Sequence, residues 1–413
     1  MKIFGQHEPA TLKQFEDIRG RAVDAALMAD GHVGYVMPIG GVATYRNQVS
    51  VVGVGFDIAC GNAAIRTDLT LASFGDDAHD VHRTMRMFAD EIQETVSFGI
   101  GRKNRSDDAP TDHELFRDPA WDAVPSKHRL ALLSKAREQL GTVGSGNHYV
   151  DVFTDENGRI WVGVHFGSRG LGHTIASAFL ALGQGKAWGE RVPEAETLLD
   201  IDAPIGHDYW HLMNLAGRYA YAGREWVARK VVSLLGGEEL ELVHNHHNFA
   251  WKETHGGEEV VVVVRKGATP AFPGELGFVG GSMGDDAVIV RGTLPGHGSS
   301  RGDVDVARLQ REALYSTIHG AGRVMSRTAA AGKYNRRTKQ QVSRGAISQE
   351  MMEKWMKEKG VILRGGGVDE SPHVYRRLPE VLGAQEGTIE VLHTLRPLVV
   401  VMAGANEVDP YKD

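Results

Sequence analysis

Residues 53–62 read GVGFDIACGN and hold the single cysteine of the chain, Cys60, three positions after Asp57. A carboxylate and a thiol so close in sequence can share one divalent cation, and a thiolate has enough lone pairs to bridge two. By itself a lone cysteine is most often an inert small apolar side chain. Three other stretches change that reading. GSGNHYVD (144–151) sets His148 after a Gly/Ser turn. WVGVHFGSRGLGH (161–173) ends a Val-rich run at His165. ELVHNHHNFAWKE (241–253) ends another in His244, His246 and His247. A histidine at one strand end is usually structural. Several strand ends together with Asp-x-x-Cys point to a metal centre with more ligands than one tetrahedral ion needs. Two ions about 3.5–4 Å apart are the arrangement that clamps both oxygens of a phosphoryl transfer. Ligand softness alone favours zinc.

Two more segments fit phosphate. In TIHGAGRVMSRTAAA (317–331), His319 precedes Gly320, Ala321, Gly322 and Arg323. Small residues let backbone N–H groups approach phosphate oxygens, and this stretch is expected to open a helix, whose N-terminus favours anions. Arg323 can add a bidentate pair, and His319 can act as a nucleophile toward phosphorus. In RKGATPAFPGELGFVGGSMG (265–284), Arg265 and Lys266 end a Val strand, and Gly280, Gly281, Ser282 and Met283 form a loop suited to a nucleotide base or phosphate.

The elements that must position these residues read as mixed. Val- and Ile-dense runs at 49–55, 62–68, 160–165, 239–244, 258–265 and 287–291 predict strands. Apolar spacing predicts helices at 80–97, 126–140, 170–183 (Ile175, Phe179 and Leu182 on one face) and 208–235 (Leu212, Leu215, Tyr219 and Trp226). The regular βα alternation of a doubly wound sheet or a barrel is missing. The expectation is an α+β fold, one large domain over 1–413 with central β-sheets, surrounding helices and a metal-lined cleft.

Composition narrows the classes further. A net charge of −7 argues against a protein that coats nucleic acid indiscriminately. One cysteine cannot form an internal disulfide. The N-terminal MKIFGQHEPATLKQFEDIRG has no long apolar core, and the aliphatic run Val260–Val264 is far too short to span a bilayer. A cytoplasmic protein without membrane association is expected, and a monomer. A basic insertion at 333–364 carries nine Lys/Arg against three Glu. It is either a solvated surface or a face for a polyanion.

Taken together, GFDIACG, GSGNH, HFGSRGLGH, HHNFAWKE, RKGA with GGSMG, and HGAGRVMSR resemble, in order and over most of the chain, the blocks of the RtcB family of RNA-splicing ligases. The resemblance implies an RNA ligase that joins 3′-phosphate or 2′,3′-cyclic phosphate ends to 5′-hydroxyl ends, using GTP and two Mn(II) ions, in RNA repair or tRNA splicing. An archease-like activator is an implied partner. It implies that Cys60 bridges the ions, that Asp57 and His148 complete one site, and that His165 and His247 complete the other. His319 would carry GMP. Asn147, Asp151, Asn248, Ser282 and the 320–322 backbone would hold the nucleotide, and Arg169 and Lys266 would meet phosphates. The departures from the family pattern fall on nucleotide contacts. Asp151 stands where the family usually has Glu, Ala287 where a Ser is expected, and Met402 and Ala403 where the family usually ends in Lys-Gly. Lys412 in the tail is a candidate substitute for that lysine. Two rival readings are a two-metal phosphoesterase acting on the same RNA ends without guanylylation, and a non-catalytic RNA-binding protein using 333–364.

If the basic segment meets RNA, neutralising Arg336, Arg337 and Lys339 together will weaken binding and flatten its salt dependence. Each lost phosphate contact removes about 0.7 from the log–log slope for a single strand. An unchanged slope would leave the segment a solvated surface.

Overall fold

The computed structural model describes residues 1–255, 260–294, 305–334, 341–385, 387–404 and 407. Arg336, Arg337, Lys339 and Lys412 lie outside them. The expected α+β class is observed, built on two mainly antiparallel sheets.

The larger sheet runs in the order Leu276–Val279, Ala287–Gly292, Ile389–Met402, Tyr149–Thr154, Arg159–Phe166, Gly61–Thr70, Glu239–His246. Ile362–Arg364 adds to it, parallel to the end of Ile389–Met402. The smaller sheet runs Lys2–Ile3, Asp24–His32, Ile39–Tyr45, Val260–Lys266, Asn248–Thr254. One chain segment joins the two. Glu239–His246 is an edge of the larger sheet, Asn248–Thr254 is an edge of the smaller, and His247 is the residue between them.

The sequence accounts for most of these elements. Both faces of Arg159–Phe166 are covered, so it reads as a continuous apolar run. The helix Pro204–Leu234 starts with Pro at its first turn and buries Leu212, Leu215 and Tyr219 beside Ile175 and Phe179 of the helix Arg169–Gly183. Its C-terminal half packs Val227, Val231 and Val232 on Ile65, Val150, Val162 and Val164 of the larger sheet. Leu182 and Trp226, expected on these faces, sit half-buried at their margins.

Two local expectations are corrected. The run 49–55 is a strand only at Gln48–Ser50, and Val51–Val54 form a short helix. The Ser50 hydroxyl accepts the Gly53 N–H at 2.8 Å and Gly55 ends the turn at φ 92°, so capping overrides the β-branched run. The stretch after His319 does not open a helix. Residues 319–326 are loop, and the five-residue helix Arg327–Ala331 begins only at its Ser326 cap. Within the basic segment, Gln349–Lys359 is a helix with Met352 and Met356 buried, and Ile362–Arg364 belongs to the larger sheet.

Packing of Pro204–Leu234 makes a direct stability prediction. Leu215→Ala will cost about 2–5 kcal/mol, read as a lower urea midpoint at unchanged slope. Leu130→Ala, at a site 79% exposed, will leave the midpoint where it is.

Candidate active site

The short helix Val51–Val54 delivers the chain into a turn in which Cys60 N–H donates to Asp57 O at 3.0 Å. Ala59 takes a positive φ of 60° to make that turn. The next residue starts the strand Gly61–Thr70, so the thiol sits at the end of the larger sheet. Its neighbours there are the ends of other strands. Asn62 pairs with His165 on one side and Asn245 on the other. Tyr149, directly after His148, pairs with His165.

Cys60 Sγ lies 3.6 Å from His148 Nε2 and 3.7 Å from His165 Nε2. His148 Nε2 is 3.1 Å from Asp57 Oδ2. Two ligand sets result, Asp57–Cys60–His148 and Cys60–His165–His247, each with its donor atoms within 4.8 Å of one another. Cys60 belongs to both. Gly167 has no room for a side chain, because a Cβ there would meet Asp57 Oδ1 at 2.2 Å.

The surroundings set the donor atoms. Asn62 Nδ2 donates to Phe278 O, so Asn62 Oδ1 is an acceptor, and His165 Nδ1 donates to it at 2.6 Å. That tautomer turns the lone pair of Nε2 toward the sulfur. Asn248 Oδ1 accepts the Gly267 N–H at 2.7 Å and lies 3.3 Å from His247 Nδ1. His247 Nε2 is buried without a hydrogen-bond partner among the described residues. Such an orphan calls for an explanation, and an ion supplies one. Burial above all, helped by the crowding of imidazoles, pushes His165 and His247 well below their usual pKa. Both rings are therefore neutral, as ligands must be. Burial and the Asp57 carboxylate push the Cys60 thiol well up. Burial also works against the charge of Asp57, but His148 and Arg169 outweigh it and hold the carboxyl below its usual range. An ion would displace the thiol proton. The donor set of one carboxylate, one sulfur and three imidazoles fits first-row divalent metals.

His319 stands beside this cluster, its ring centroid 4.8 Å from that of His247. Asp30, fully buried on the strand Asp24–His32, accepts from His319 Nδ1 at 2.6 Å and from the His319 backbone N–H at 3.0 Å. The carboxylate places the proton on Nδ1 and leaves the Nε2 lone pair free for attack. Gly322 has a φ of 76°, and a Cβ there would meet Asp30 O at 2.3 Å, so only glycine lets this loop close on the strand.

A cavity opens next to His319. Its lining includes Asn147, Asp151, His165, Gly280, Gly281, Ser282, Met283, Gly320, Ala321, Gly322 and Arg323. A bridge between Gly280 and Gly320 draws the two glycine loops together. Tyr149, Phe153, Val400 and Met402 make part of the wall apolar. Asp151 is buried there with Oδ1 unpartnered among the described residues, and burial raises its carboxyl well above the usual range. Glu370 is also buried in this lining, but it is paired with Arg323 and Arg327. A glycine cradle with an apolar wall and a buried carboxyl left without an ion pair suits a nucleotide.

The family model described as tRNA-splicing ligase RtcB matches residues 11–403. The chain belongs to the RtcB family. It is 30% identical to the RNA-splicing ligase RtcB of Escherichia coli K12, over 91% of this chain and 89% of that protein. It is 32% identical to the tRNA-splicing ligase RtcB of Archaeoglobus fulgidus, over 92% and 88%. The tRNA-splicing ligase RtcB of Thermococcus kodakarensis is 29% identical, over 91% and 86%. Among the described residues no helix is long and apolar enough to cross a membrane.

Within this RtcB fold, the residues singled out from sequence fall into three groups. Asp57, Cys60, His148, His165, His247 and His319 come together. The loop residues at 280–283 and 320–323, with Asn147 and Asp151, line the cavity. Arg169, Lys266 and Asn248 are outside its lining. Arg169 Nη1 lies 3.4 Å from His148 Nδ1, Lys266 Nζ donates to Val52 O at 2.8 Å, and Asn248 braces the 267 turn. Arg323 lines the cavity, but its guanidinium donates to Glu370, Tyr375 and Asp369 O. The Ser282 hydroxyl donates to Asp285. Ala287 is buried on its strand, and Met402 takes its place in the apolar wall. Asp30, Asn62 and Arg224 were missed. The signal for Asp30 was a carboxylate inside the apolar run ALMADGH; Asn62 and Arg224 carried none.

A cobalt(II) titration checks the shared sulfur. The wild type will show thiolate-to-cobalt charge transfer and take up two equivalents, and Cys60→Ala will lose both. Two ions retained in Cys60→Ala would refute the bridge.

Proposed function

We propose that this chain is a GTP-dependent RNA ligase that joins RNA 3′-phosphate or 2′,3′-cyclic phosphate ends to 5′-hydroxyl ends. The carrying observation is the Asp30–His319 pair, in which His319 is held through Nδ1 and lines a glycine-walled cavity beside five side chains that could ligate metal. The family relationship supports RNA as substrate.

His319 Nε2 would attack the α-phosphorus of GTP. The P–N bond forms as the bond to pyrophosphate breaks, and Asp30 balances the charge on the ring. The guanylyl group then passes to an oxygen of the RNA 3′-phosphate, freeing the imidazole. A 5′-hydroxyl oxygen attacks that activated phosphorus, and GMP leaves. A cyclic phosphate must first be opened by water. Backbone N–H groups at 280–282 and 320–322 would hold phosphate oxygens, and Asp151 with the apolar wall would receive the base. Two Mn(II) ions, held by Asp57, Cys60 and His148 and by Cys60, His165 and His247, would neutralise phosphate charge and orient the attacking and leaving oxygens.

Incubation with manganese and α-labelled GTP will give an acid-labile adduct, and ATP will not replace it. His319→Ala will abolish labelling at unchanged metal content. Asp30→Asn will slow labelling by at least about 100-fold, because an amide can turn its N–H to Nδ1 and impose the wrong tautomer. Release of phosphate from RNA ends without any adduct would favour the phosphoesterase reading instead.

A further inference from the structure

Arg224 lies in the middle of the helix Pro204–Leu234 and is fully buried. No carboxylate lies within salt-bridge distance of it among the described residues. A buried guanidinium is expensive unless its donors are used, and here four hydrogen bonds use them. Nη1 donates to Ala59 O at 2.8 Å and to Phe166 O at 2.6 Å. Nη2 donates to His246 Nδ1 at 2.8 Å, and Nε donates to His244 Nε2 at 2.8 Å.

The positions of these acceptors carry the inference. Ala59 precedes Cys60, Phe166 follows His165, and His246 precedes His247. One rigid, planar group therefore grips the chain next to each member of the Cys60–His165–His247 set. Asp57 and His148 have no such bond to it. Burial, followed by the Arg224 charge, depresses the pKa of both His244 and His246, so these rings are neutral acceptors. The Tyr221 ring closes them in, 4.1 Å from His244 and 3.8 Å from His246. This gives the two extra histidines of HNHH a role: they are the seat of the guanidinium, and His247 alone is left for the ion.

We propose that Arg224 is the positioning residue of the Cys60–His165–His247 half of the metal centre, holding three strand ends at the spacing that lets one cation bridge them. This rests on the metal-centre reading above. Lysine cannot replace it, because an ammonium has no planar fork with which to reach four acceptors.

The test counts ions and follows cobalt(II) spectra in the full chain. Wild-type protein will bind two equivalents. In Arg224→Lys and Arg224→Gln the Cys60–His165–His247 half will weaken by about 10–100-fold, as for other residues that orient metal ligands, while one equivalent stays at the Asp57–Cys60–His148 half. His246→Phe keeps a ring against Tyr221 and removes one acceptor, so it reports on the same half if the Arg224 variants do not fold. It will weaken that half alone. A purely structural Arg224 would behave otherwise. The chelator-treated variants would melt at lower temperature yet still take two ions with wild-type affinity, and that result would overturn the proposal. A His246→Phe protein with both affinities unchanged would overturn it too. If the wild type itself bound no ion, the metal-centre reading would fall first, and this proposal with it.

Discussion

The site depends on a seam where two sheets meet. Cys60 O accepts the His247 N–H at 2.8 Å, and the Ala59 N–H donates to Asn248 O at 2.7 Å. These two bonds tie the cysteine loop to the segment that leaves the larger sheet and enters the smaller. Everything else in the candidate centre is placed relative to that tie. His165 comes from the neighbouring strand of the larger sheet, and His148 from the loop before the next one. His319 and Asp30 come from the side of the smaller sheet, where the 319–322 loop closes on the strand Asp24–His32. A metal centre between two sheets can therefore face a nucleophile that neither sheet could supply to it alone.

Electrostatics at the seam favour cations without fixing them in advance. Asp57 is held ionised, the Cys60 thiol is held protonated, and His165 and His247 are held neutral by burial. A dication that replaces the thiol proton gains a thiolate in a place where water is scarce. The same low-dielectric setting would make an unfilled sulfur anion costly. Arg224 adds a fixed positive charge, hydrogen-bonded to the backbone next to Cys60 and His165. Burial lowers its pKa only to about 10, so it remains charged near neutral pH and partly offsets the charge gathered at Asp57 and Cys60.

The cavity beside His319 is built differently. Its lining has two glycine loops, an apolar wall with Met402 in it, and two buried carboxyls, Glu370 paired with Arg323 and Arg327 and Asp151 with Oδ1 unpartnered among the described residues. Close packing explains the glycines there: a Cβ on Gly280 would meet Tyr149 Oη at 2.7 Å, and one on Gly322 would meet Asp30 O at 2.3 Å. The arginine in HGAGR is bound to Glu370 and Tyr375, so it stiffens the loop with its own side chain.

Asp57, Cys60, His148, His165 and His319 were legible in the sequence, because chemically demanding residues stand out when set among glycines at the ends of apolar runs; of His244, His246 and His247, only the resemblance to the family singled out His247. The long helices and most strands were legible for the same reason, through the spacing of their apolar residues. The Val51–Val54 helix was not, since four residues are too few to show a period and a serine cap decided the matter. Nor was the loop at 319–326, where glycine and alanine fit a helix start as well as a cradle. Asp30 showed only as a carboxylate inside an apolar run, with nothing to name its partner, and Arg224 was beyond reach. Their partners lie 289 and as many as 165 positions away in the chain. Residue type and local spacing thus determined which groups are available for chemistry. Only the packing of two sheets and one buried helix decided which of them meet, because hydrogen bonds and metal ligation act over a few ångströms in space and take no account of distance along the chain.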